Sequence, residues 1–251
     1  MAKEYGLSKV SVRPLGVGGS RLSIPVRITG FDSNGNLHKL FGKILGGADI
    51  LTARTIQIAK NLYLEVNALD PLFGFPLDAA SMAKHQFQTM KAIYELGIPT
   101  AKPYGYHQLN DAMYVVIYEY LDAKPVTEVG AMSLEQMDMV FGYLRKMHDN
   151  DLFHGDIKPD NVMVNDHLYI LDVGHYLEEA PSSLKRSYDL ACQIASFLQF
   201  QEARDIVKVA RKHYSAEDLR LASEYLELIQ KRPDINLSED KKRELLRLMS
   251  D

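Results

Sequence analysis

The sequence predicts an α+β fold with two lobes, a small β-rich lobe at the amino terminus and a helical lobe at the carboxyl terminus. Three observations favour it. Apolar and polar residues alternate through much of the first 45 residues, a helical period begins near residue 49, and helical periods fill most of the chain after about residue 130. The length of 251 residues suits one large domain or two small lobes. We expect the lobes to span residues 1–121 and 122–251.

Three antiparallel strands account for the first segment. "KVSVRPLG" alternates, "RLSIPVRITGF" resumes after a glycine-rich turn, and "LHKLFGKIL" follows the Asn-Gly turn in "DSNGN". Pro25 predicts a kink or an edge position in the second strand.

Two helices follow, and the chain then returns to strands. Residues 49–68 have helical spacing, and Asp78 can cap a second helix that Gly97 closes. "IPTAKPYGYHQLNDAMYVVIYEYLD" again reads as strands with an Asn-Asp turn. The apolar positions that predict the first of these helices include Leu51, Ile58, Leu62 and Val66.

The rest of the chain is mostly helical. Ser133 and Gln136 form a predicted capping box, and "NVMVNDHLYIL" predicts two short strands joined by an Asn-Asp turn. Further helices are predicted over residues 187–200, 201–213, 216–230 and 238–249.

Composition excludes several classes of protein. The net charge of −4 argues against nonspecific binding to nucleic acid or to an anionic membrane. No apolar stretch approaches a membrane span, and the amino terminus lacks the apolar core of a signal peptide. Cys192 is the single cysteine, so neither an internal disulfide nor a thiolate metal site is expected. These features predict a cytoplasmic protein with no membrane segment.

Two polar clusters flank the predicted pair of short strands. Residues 154–161 read "HGDIKPDN", here called the HGD loop, and "ILDVGH" contains the DVG motif of Asp172 to Gly174. Phosphoryl transfer needs Mg²⁺ held against a polyphosphate, an oriented nucleophile and cationic groups that offset charge. Asp156, Asn161 and Asp172 supply the oxygen atoms that Mg²⁺ prefers, and Lys158 can neutralise a moving phosphoryl group. A polar loop made of turn-forming residues is the plain alternative.

The two clusters resemble the catalytic loop and the metal-binding motif of the protein-kinase-like superfamily. Gly155 stands where the usual pattern has arginine, and Val173 stands where it has phenylalanine. The H-G-D triplet is similar to atypical branches, which include Rio kinases, lipopolysaccharide kinases, and aminoglycoside or choline phosphotransferases. "KPDN" is closer to ordinary serine/threonine kinases. The resemblance implies the bilobal protein-kinase-like fold.

The resemblance also implies roles for individual residues. Asp156 would be the catalytic base, with Lys158 beside the transferred phosphoryl group, and Asn161 and Asp172 would bind Mg²⁺. Lys43 in "LFGKIL" would contact the α- and β-phosphates of ATP.

Further positions match the nucleotide-binding parts of the family. Tyr118 would be the gatekeeper residue, and Asp189 would brace the HGD loop through its main-chain amides. The remaining nucleotide contacts would be Gly16, Gly18, Gly19 and Ser20 of the glycine-rich turn over the phosphates, and the backbone of Glu119 and Leu121 at adenine.

The sequence departs from the family pattern in three places. The helix before the hinge should carry a glutamate that pairs with Lys43, but this position is Gln86. Three alternatives follow: Gln86 hydrogen-bonds the lysine, Glu65 or Glu95 replaces the glutamate, or the pairing is weak. The segment 174–187 is too short for a full activation loop, and the helix at 49–68 has no counterpart in ordinary protein kinases.

These features predict an ATP- and Mg²⁺-dependent phosphotransferase that acts on a hydroxyl group, most simply of a protein serine or threonine. A small-molecule, lipid or sugar kinase is an alternative, as is a nucleotide-binding pseudokinase or an ATPase switch. The expected partners are ATP, a hydroxyl acceptor, and a protein that binds the helix at 49–68 or the C-terminal helices.

Overall fold

The structure, a computed structural model, describes residues 4–15 and 23–250, without the side chains of residues 48 and 49. An antiparallel sheet of five strands in the order β1-β2-β3-β5-β4 forms the first lobe. A small apolar cluster covers one face of this sheet, and the main core lies on its other face. The strands are β1 (Ser8–Pro14), β2 (Ile24–Phe31), β3 (Leu37–Leu45), β4 (Pro103–Asn110) and β5 (Met113–Glu119).

Pro25 lies in an inner strand. Strand β2 pairs with β1 on one side and with β3 on the other, so the prediction of an edge position is wrong. Pro25 is the second residue of the strand, where its carbonyl still accepts the N–H of Leu15 at 2.9 Å. A proline at the beginning of a strand leaves the rest of the hydrogen-bonded ladder intact.

Helices α1 (Gly47–Val66) and α2 (Ala79–Glu95) follow β3. The predicted cap of α2 is confirmed, because the Asp78 side chain accepts the N–H of Ser81 at 2.7 Å. Helix α1 is also present, but the predicted apolar stripe faces solvent, while Ile50, Ala53 and Leu64 face the protein beside half-buried polar residues. The apolar residues that predicted α1 are exposed by 69% (Leu51), 53% (Ile58), 58% (Leu62) and 77% (Val66).

Helix α1 is fastened to the segment that joins it to α2. The Asn61 side chain accepts the N–H groups of Leu72 and Phe73 and donates to the Phe73 carbonyl at 2.7 Å. That segment in turn pairs with the chain just after the DVG motif, where Leu177 N–H donates to Leu72 O at 3.0 Å. Helix α1 is therefore connected to the chain after the DVG motif by one short segment.

The second lobe begins with small elements around the HGD loop. A three-stranded sheet in the order β6-β7-β8 carries the two predicted short strands and one strand that local pattern did not predict. Strand β6 has only two residues, too few to show an alternation of apolar and polar side chains. It is recognised as a strand only because it pairs with β7. The elements are β6 (Lys124–Pro125), α3 (Val126–Val129), α4 (Leu134–His148), β7 (Val162–Val164) and β8 (Leu168–Ile170).

The remaining helices pack around α5. This helix begins at Ser182, five residues before the predicted start at Ser187, because Pro181 is placed directly before its first turn. The predicted helix over 216–230 is divided at Glu224 and Tyr225 into two helices. These helices are α5 (Ser182–Phe197), α6 (Ala203–Ala210), α7 (Ala216–Ser223), α8 (Leu226–Gln230) and α9 (Glu239–Ser250).

The architecture is the predicted bilobal α+β fold. A sheet-containing lobe is followed by a lobe whose buried centre is α5, with Tyr188, Leu190 and Cys192 fully enclosed. Across the part of the chain that is described, no helix is long and apolar enough to cross a membrane.

Candidate active site

A cleft of about 640 Å³ lies between the two lobes. This volume is within the range of small-molecule sites in proteins. Its walls come from β3, β5, the segment after β5, and the HGD loop. The predicted site residues that line it are Lys43, Glu119, Leu121, Lys158, Asn161 and Asp172, together with Tyr118.

The HGD loop is anchored by a buried carboxylate. Asp189 of α5 accepts the main-chain N–H of His154 at 2.7 Å and of Gly155 at 2.8 Å, and the Tyr176 hydroxyl at 2.7 Å. Burial raises the pKa of Asp189, but hydrogen bonds from His148 and Tyr176 outweigh it, so the net shift is downward. The predicted bracing of the loop by Asp189 is confirmed.

The HGD loop and the DVG motif are in backbone contact. Gly174 N–H donates to the carbonyl of His154 at 2.7 Å. Gly155 has φ of +76°, and a Cβ added to Gly174 would lie 2.4 Å from the Gly155 carbonyl oxygen. At Gly155 itself, the positive φ and a Cβ that would lie 3.2 Å from Gly174 and from the Tyr176 ring both favour glycine.

Asp156 is surrounded by cations. Its Oδ2 lies 2.9 Å from Lys158 Nζ, and its Oδ1 lies 3.1 Å from Arg232 Nη2. Burial raises the pKa of Asp156, but Lys158 and Arg232 outweigh this and hold the pKa well below its ordinary value. Burial likewise opposes the charge of Lys158, while Asp156 and Asp172 raise its pKa. Both groups are therefore charged near neutral pH.

The partner of Lys43 is the aspartate of the DVG motif. Lys43 is buried, and its Nζ lies 2.7 Å from both carboxylate oxygens of Asp172. Gln86 is buried in α2, but its Oε1 has no hydrogen-bond partner among the described residues. Glu65 is exposed, and Glu95 lies 3.6 Å from a lysine of its own helix. In ordinary kinases a glutamate of this helix would pair with the lysine, but here neither Gln86, Glu65 nor Glu95 does so. The structure therefore fits the alternative that pairing between Lys43 and α2 is weak.

Strand pairing brings Asn161 next to Asp172. Leu171, which directly precedes Asp172, donates its N–H to the Asn161 carbonyl at 2.8 Å. The Asn161 amide nitrogen donates to the Asp156 carbonyl at 2.8 Å, which leaves the Asn161 amide oxygen as the atom that can bind a cation. An amide and a carboxylate oxygen from two adjacent loops suit Mg²⁺.

Within residues 4–15 and 23–250, no group of three or more His, Cys, Asp or Glu side chains is suited to a metal ion. A Mg²⁺ ion bound by Asn161 and Asp172 would therefore take its other ligands from phosphate and water, as this ion commonly does. The predicted glycine-rich turn of Gly16, Gly18, Gly19 and Ser20 lies outside the described residues.

Two residues of the site were not predicted. Arg232 and Asp234 follow α8. Arg232 Nη2 lies 2.7 Å from Asp234 Oδ2 and 3.1 Å from Asp156 Oδ1, so it connects the two carboxylates. The Arg232 guanidinium also donates to the Tyr188 hydroxyl at 3.1 Å. In the sequence, Pro233 of "KRPD" separates two predicted helices, and this break is the signal that the segment offers. Nothing local shows that a residue 76 positions after Asp156 will contact it.

Comparisons with known proteins concern the family and the fold of the chain. The family model described as RIO domain matches residues 78–209, more than half of the chain. A serine/threonine-protein kinase D of Synechocystis sp. is 26% identical over 138 residues, 50% of this chain and 27% of that protein. The chain therefore spans about a quarter of the length of that curated relative.

Among solved structures, the Mycobacterium tuberculosis PknI kinase domain superposes with a TM-score of 0.50 and 13% identity, over 95% of this chain and 96% of that one. The likeness concerns the fold. Fold and family match together define an atypical member of the protein-kinase-like class. The chain belongs to the RIO domain family.

Proposed function

We propose that the chain transfers the γ-phosphate of Mg²⁺-bound ATP to a hydroxyl group. One observation carries this proposal: two lysines, Asn161 and Asp172 line a cleft large enough for a nucleotide, and Asp156 contacts one of these lysines, Lys158, at 2.9 Å. A protein serine or threonine is the acceptor we favour, since the relative from Synechocystis carries the name of such a kinase. We further propose a lobe boundary between residues 121 and 122, and a cytoplasmic location.

Each charged residue has a distinct proposed role. Asp156 orients the acceptor hydroxyl and accepts its proton, and Lys158 offsets charge on the transferred group. Asn161 and Asp172 hold Mg²⁺, which when bound supplies positive charge at the phosphates. Lys43 binds the α- and β-phosphates after exchanging its contact with Asp172 for the nucleotide.

The nucleotide base would bind at the opposite end of the cleft. Glu119 and Leu121 line that end, where their main-chain groups can contact adenine. Tyr118 is buried beside them, and its burial raises its pKa, so it is an uncharged steric gate.

The direct test is transfer of labelled γ-phosphate to candidate acceptors. Purified chain would be incubated with Mg²⁺ and labelled ATP, in the presence of protein substrates, small hydroxyl compounds, or water alone. We expect a labelled acceptor or labelled chain. Free phosphate alone would instead support an ATPase switch, and absence of any product despite ATP binding would support a pseudokinase.

Asp172→Ala is expected to remove the effect of Mg²⁺ on ATP binding. In thermal unfolding, ATP at about 100 times its Kd should stabilise the wild type by about 2.7 kcal/mol. The alanine variant should lose most of this stabilisation, because it lacks the carboxylate that holds the ion. Asp166→Ala, in the β7–β8 turn, is the matched control. Equal stabilisation of wild type and Asp172→Ala would contradict the proposed metal site.

A nucleotide-binding pseudokinase is the second candidate. Gln86 stands where a glutamate would pair with Lys43, and its Oε1 has no hydrogen-bond partner among the described residues. Gln86→Glu separates the two candidates. If weak pairing limits turnover, this variant should transfer phosphate faster than the wild type, because it provides a carboxylate for the lysine.

We also propose that the outer face of α1 binds a protein. Its exposed apolar side chains form one stripe, and surfaces of this kind mark interaction sites. In α9 the exposed large apolar residue is Leu246, so α1 is the better candidate. The members of the stripe are Leu51, Ile58, Leu62 and Val66, with Ile56 beside it.

A second copy of the chain is the partner that can be tested directly. We expect the mass of the wild type, measured by light scattering, to rise with concentration, and an Ile58→Glu/Leu62→Glu variant to stay monomeric. Equal masses for both proteins at all concentrations would contradict self-association through α1.

A further inference from the structure

Lys60 is a cation with no counter-ion among the residues that the structure describes. It lies on the half-buried inner face of α1, with its Nζ 4.6 Å from the centre of the Phe73 ring. Its ammonium group makes no hydrogen bond or ion pair with any residue in the described part of the chain. Burial and the nearby Arg232 lower the pKa of Lys60 to about 8, against the opposing effect of Asp156. Unpaired cations at buried positions are costly and rare in proteins.

A chain of contacts places Lys60 near Asp156. Phe73 packs edge-on against Tyr188, with ring centres 4.9 Å apart. The Tyr188 hydroxyl accepts from Arg232 at 3.1 Å, and Arg232 contacts Asp156 at 3.1 Å. None of these residues lines the nucleotide cleft. If a nucleotide fills the cleft, an acceptor must reach Asp156 from outside it, and Lys60 also lies outside the residues that line the cleft.

The charges on this side do not balance. Asp156 is contacted by both Lys158 and Arg232, and Asp234 lies 2.7 Å from Arg232. Two carboxylates therefore face three cations when Lys60 is included. A cationic acceptor would find no carboxylate free of a basic partner here. An anionic acceptor would neutralise the excess charge.

We propose that Lys60 binds an anionic group, phosphate or carboxylate, carried by the hydroxyl acceptor. This inference rests on the proposed function, since an acceptor is required only if phosphate is transferred. It assigns a role in acceptor choice to α1.

The test uses inorganic phosphate as the probe. The full chain would first be saturated with Mg²⁺ and a non-hydrolysable ATP analogue, so that the position of the terminal phosphate is filled. Phosphate would then be titrated at constant ionic strength while thermal unfolding is followed. We expect the wild type to be stabilised, and Lys60→Met to bind phosphate about 10- to 100-fold more weakly, as expected for one lost hydrogen bond to a charged group.

Two further variants make the result specific. Lys60→Arg keeps the charge and should retain phosphate binding. Lys84→Met removes an exposed lysine from α2 and should behave as the wild type. Lys60→Met is expected to fold, because it removes an unpaired cation from a half-buried position.

Equal phosphate binding by wild type and Lys60→Met, or no binding by the wild type, would overturn the inference. So would a Lys60→Met variant that loses affinity for the analogue instead, because Lys60 would then be a nucleotide ligand. Failure of the analogue to bind the wild type with Mg²⁺ is a different outcome, which would overturn the proposed function itself.

Discussion

Replacing Asp156 by asparagine is expected to lower the rate of γ-phosphate transfer by about 10²- to 10⁴-fold, the usual contribution of a positioned proton acceptor. The asparagine keeps the shape of the side chain and can still accept a hydrogen bond. It cannot accept the proton of the hydroxyl group, and it no longer offsets the charges of Lys158 and Arg232. The measurement is initial-rate transfer of labelled phosphate at saturating ATP.

Binding must be separated from chemistry in this variant. Asp156 does not line the nucleotide cleft, so thermal stabilisation by Mg²⁺ and ATP should remain close to that of the wild type. Asp166→Asn is the matched control, since Asp166 is exposed in the β7–β8 turn and does not line the cleft. Equal transfer rates for wild type and Asp156→Asn would show that this carboxylate is not the proton acceptor.

Gly174→Ala is expected to affect both stability and activity. The new Cβ would lie 2.4 Å from the carbonyl oxygen of Gly155 and 3.1 Å from the amide nitrogen of Asp156. Backbone atoms cannot rotate away as a side chain can, so the HGD loop must move relative to the DVG motif. We expect a loss of about 1–3 kcal/mol in the free energy of unfolding, the usual cost of overpacking.

The same movement should reduce activity, because a displacement of about 1 Å in a reacting group can cost about 10²-fold in rate. Chemical denaturation and the transfer assay measure the two effects. Gly142→Ala is the control: it lies within α4, and its Cβ would meet His213 at 3.6 Å, an ordinary contact. That variant should be as stable as the wild type or up to about 1 kcal/mol more stable. A Gly174→Ala variant with the stability and rate of Gly142→Ala would contradict the close contact between the two loops.

The elements that sequence could predict are those specified by neighbouring residues. The strands β2 and β3 follow from alternation around an Asn-Gly turn, and α2 follows from its Asp78 cap. The convergence of Asp156 and Asp172 was also predictable, because the two short strands between them can only form a hairpin. In each of these cases the interacting residues are close in the chain.

Helix α1 shows where periodicity is insufficient. The spacing of Leu51, Ile58 and Leu62 correctly predicts a helix, yet these side chains are exposed. Periodicity states which residues share a face of a helix. It does not state which face the rest of the protein will cover. Here the face with Ile50, Ala53 and Leu64 is buried, and Asn61 on that side binds the segment before α2.

The sequence alone determined the two-lobed fold, the order of its main elements, and the residues that gather at the cleft. Tertiary structure decided that Lys43 pairs with Asp172, that Arg232 restrains Asp156, and that Lys60 lies close enough to Arg232 and Asp156 for their charges to affect its pKa. The physical reason is the distance along the chain between the residues that interact. Strand and helix formation depends on residues a few positions apart, whereas an ion pair depends on how distant segments pack, which no local pattern encodes.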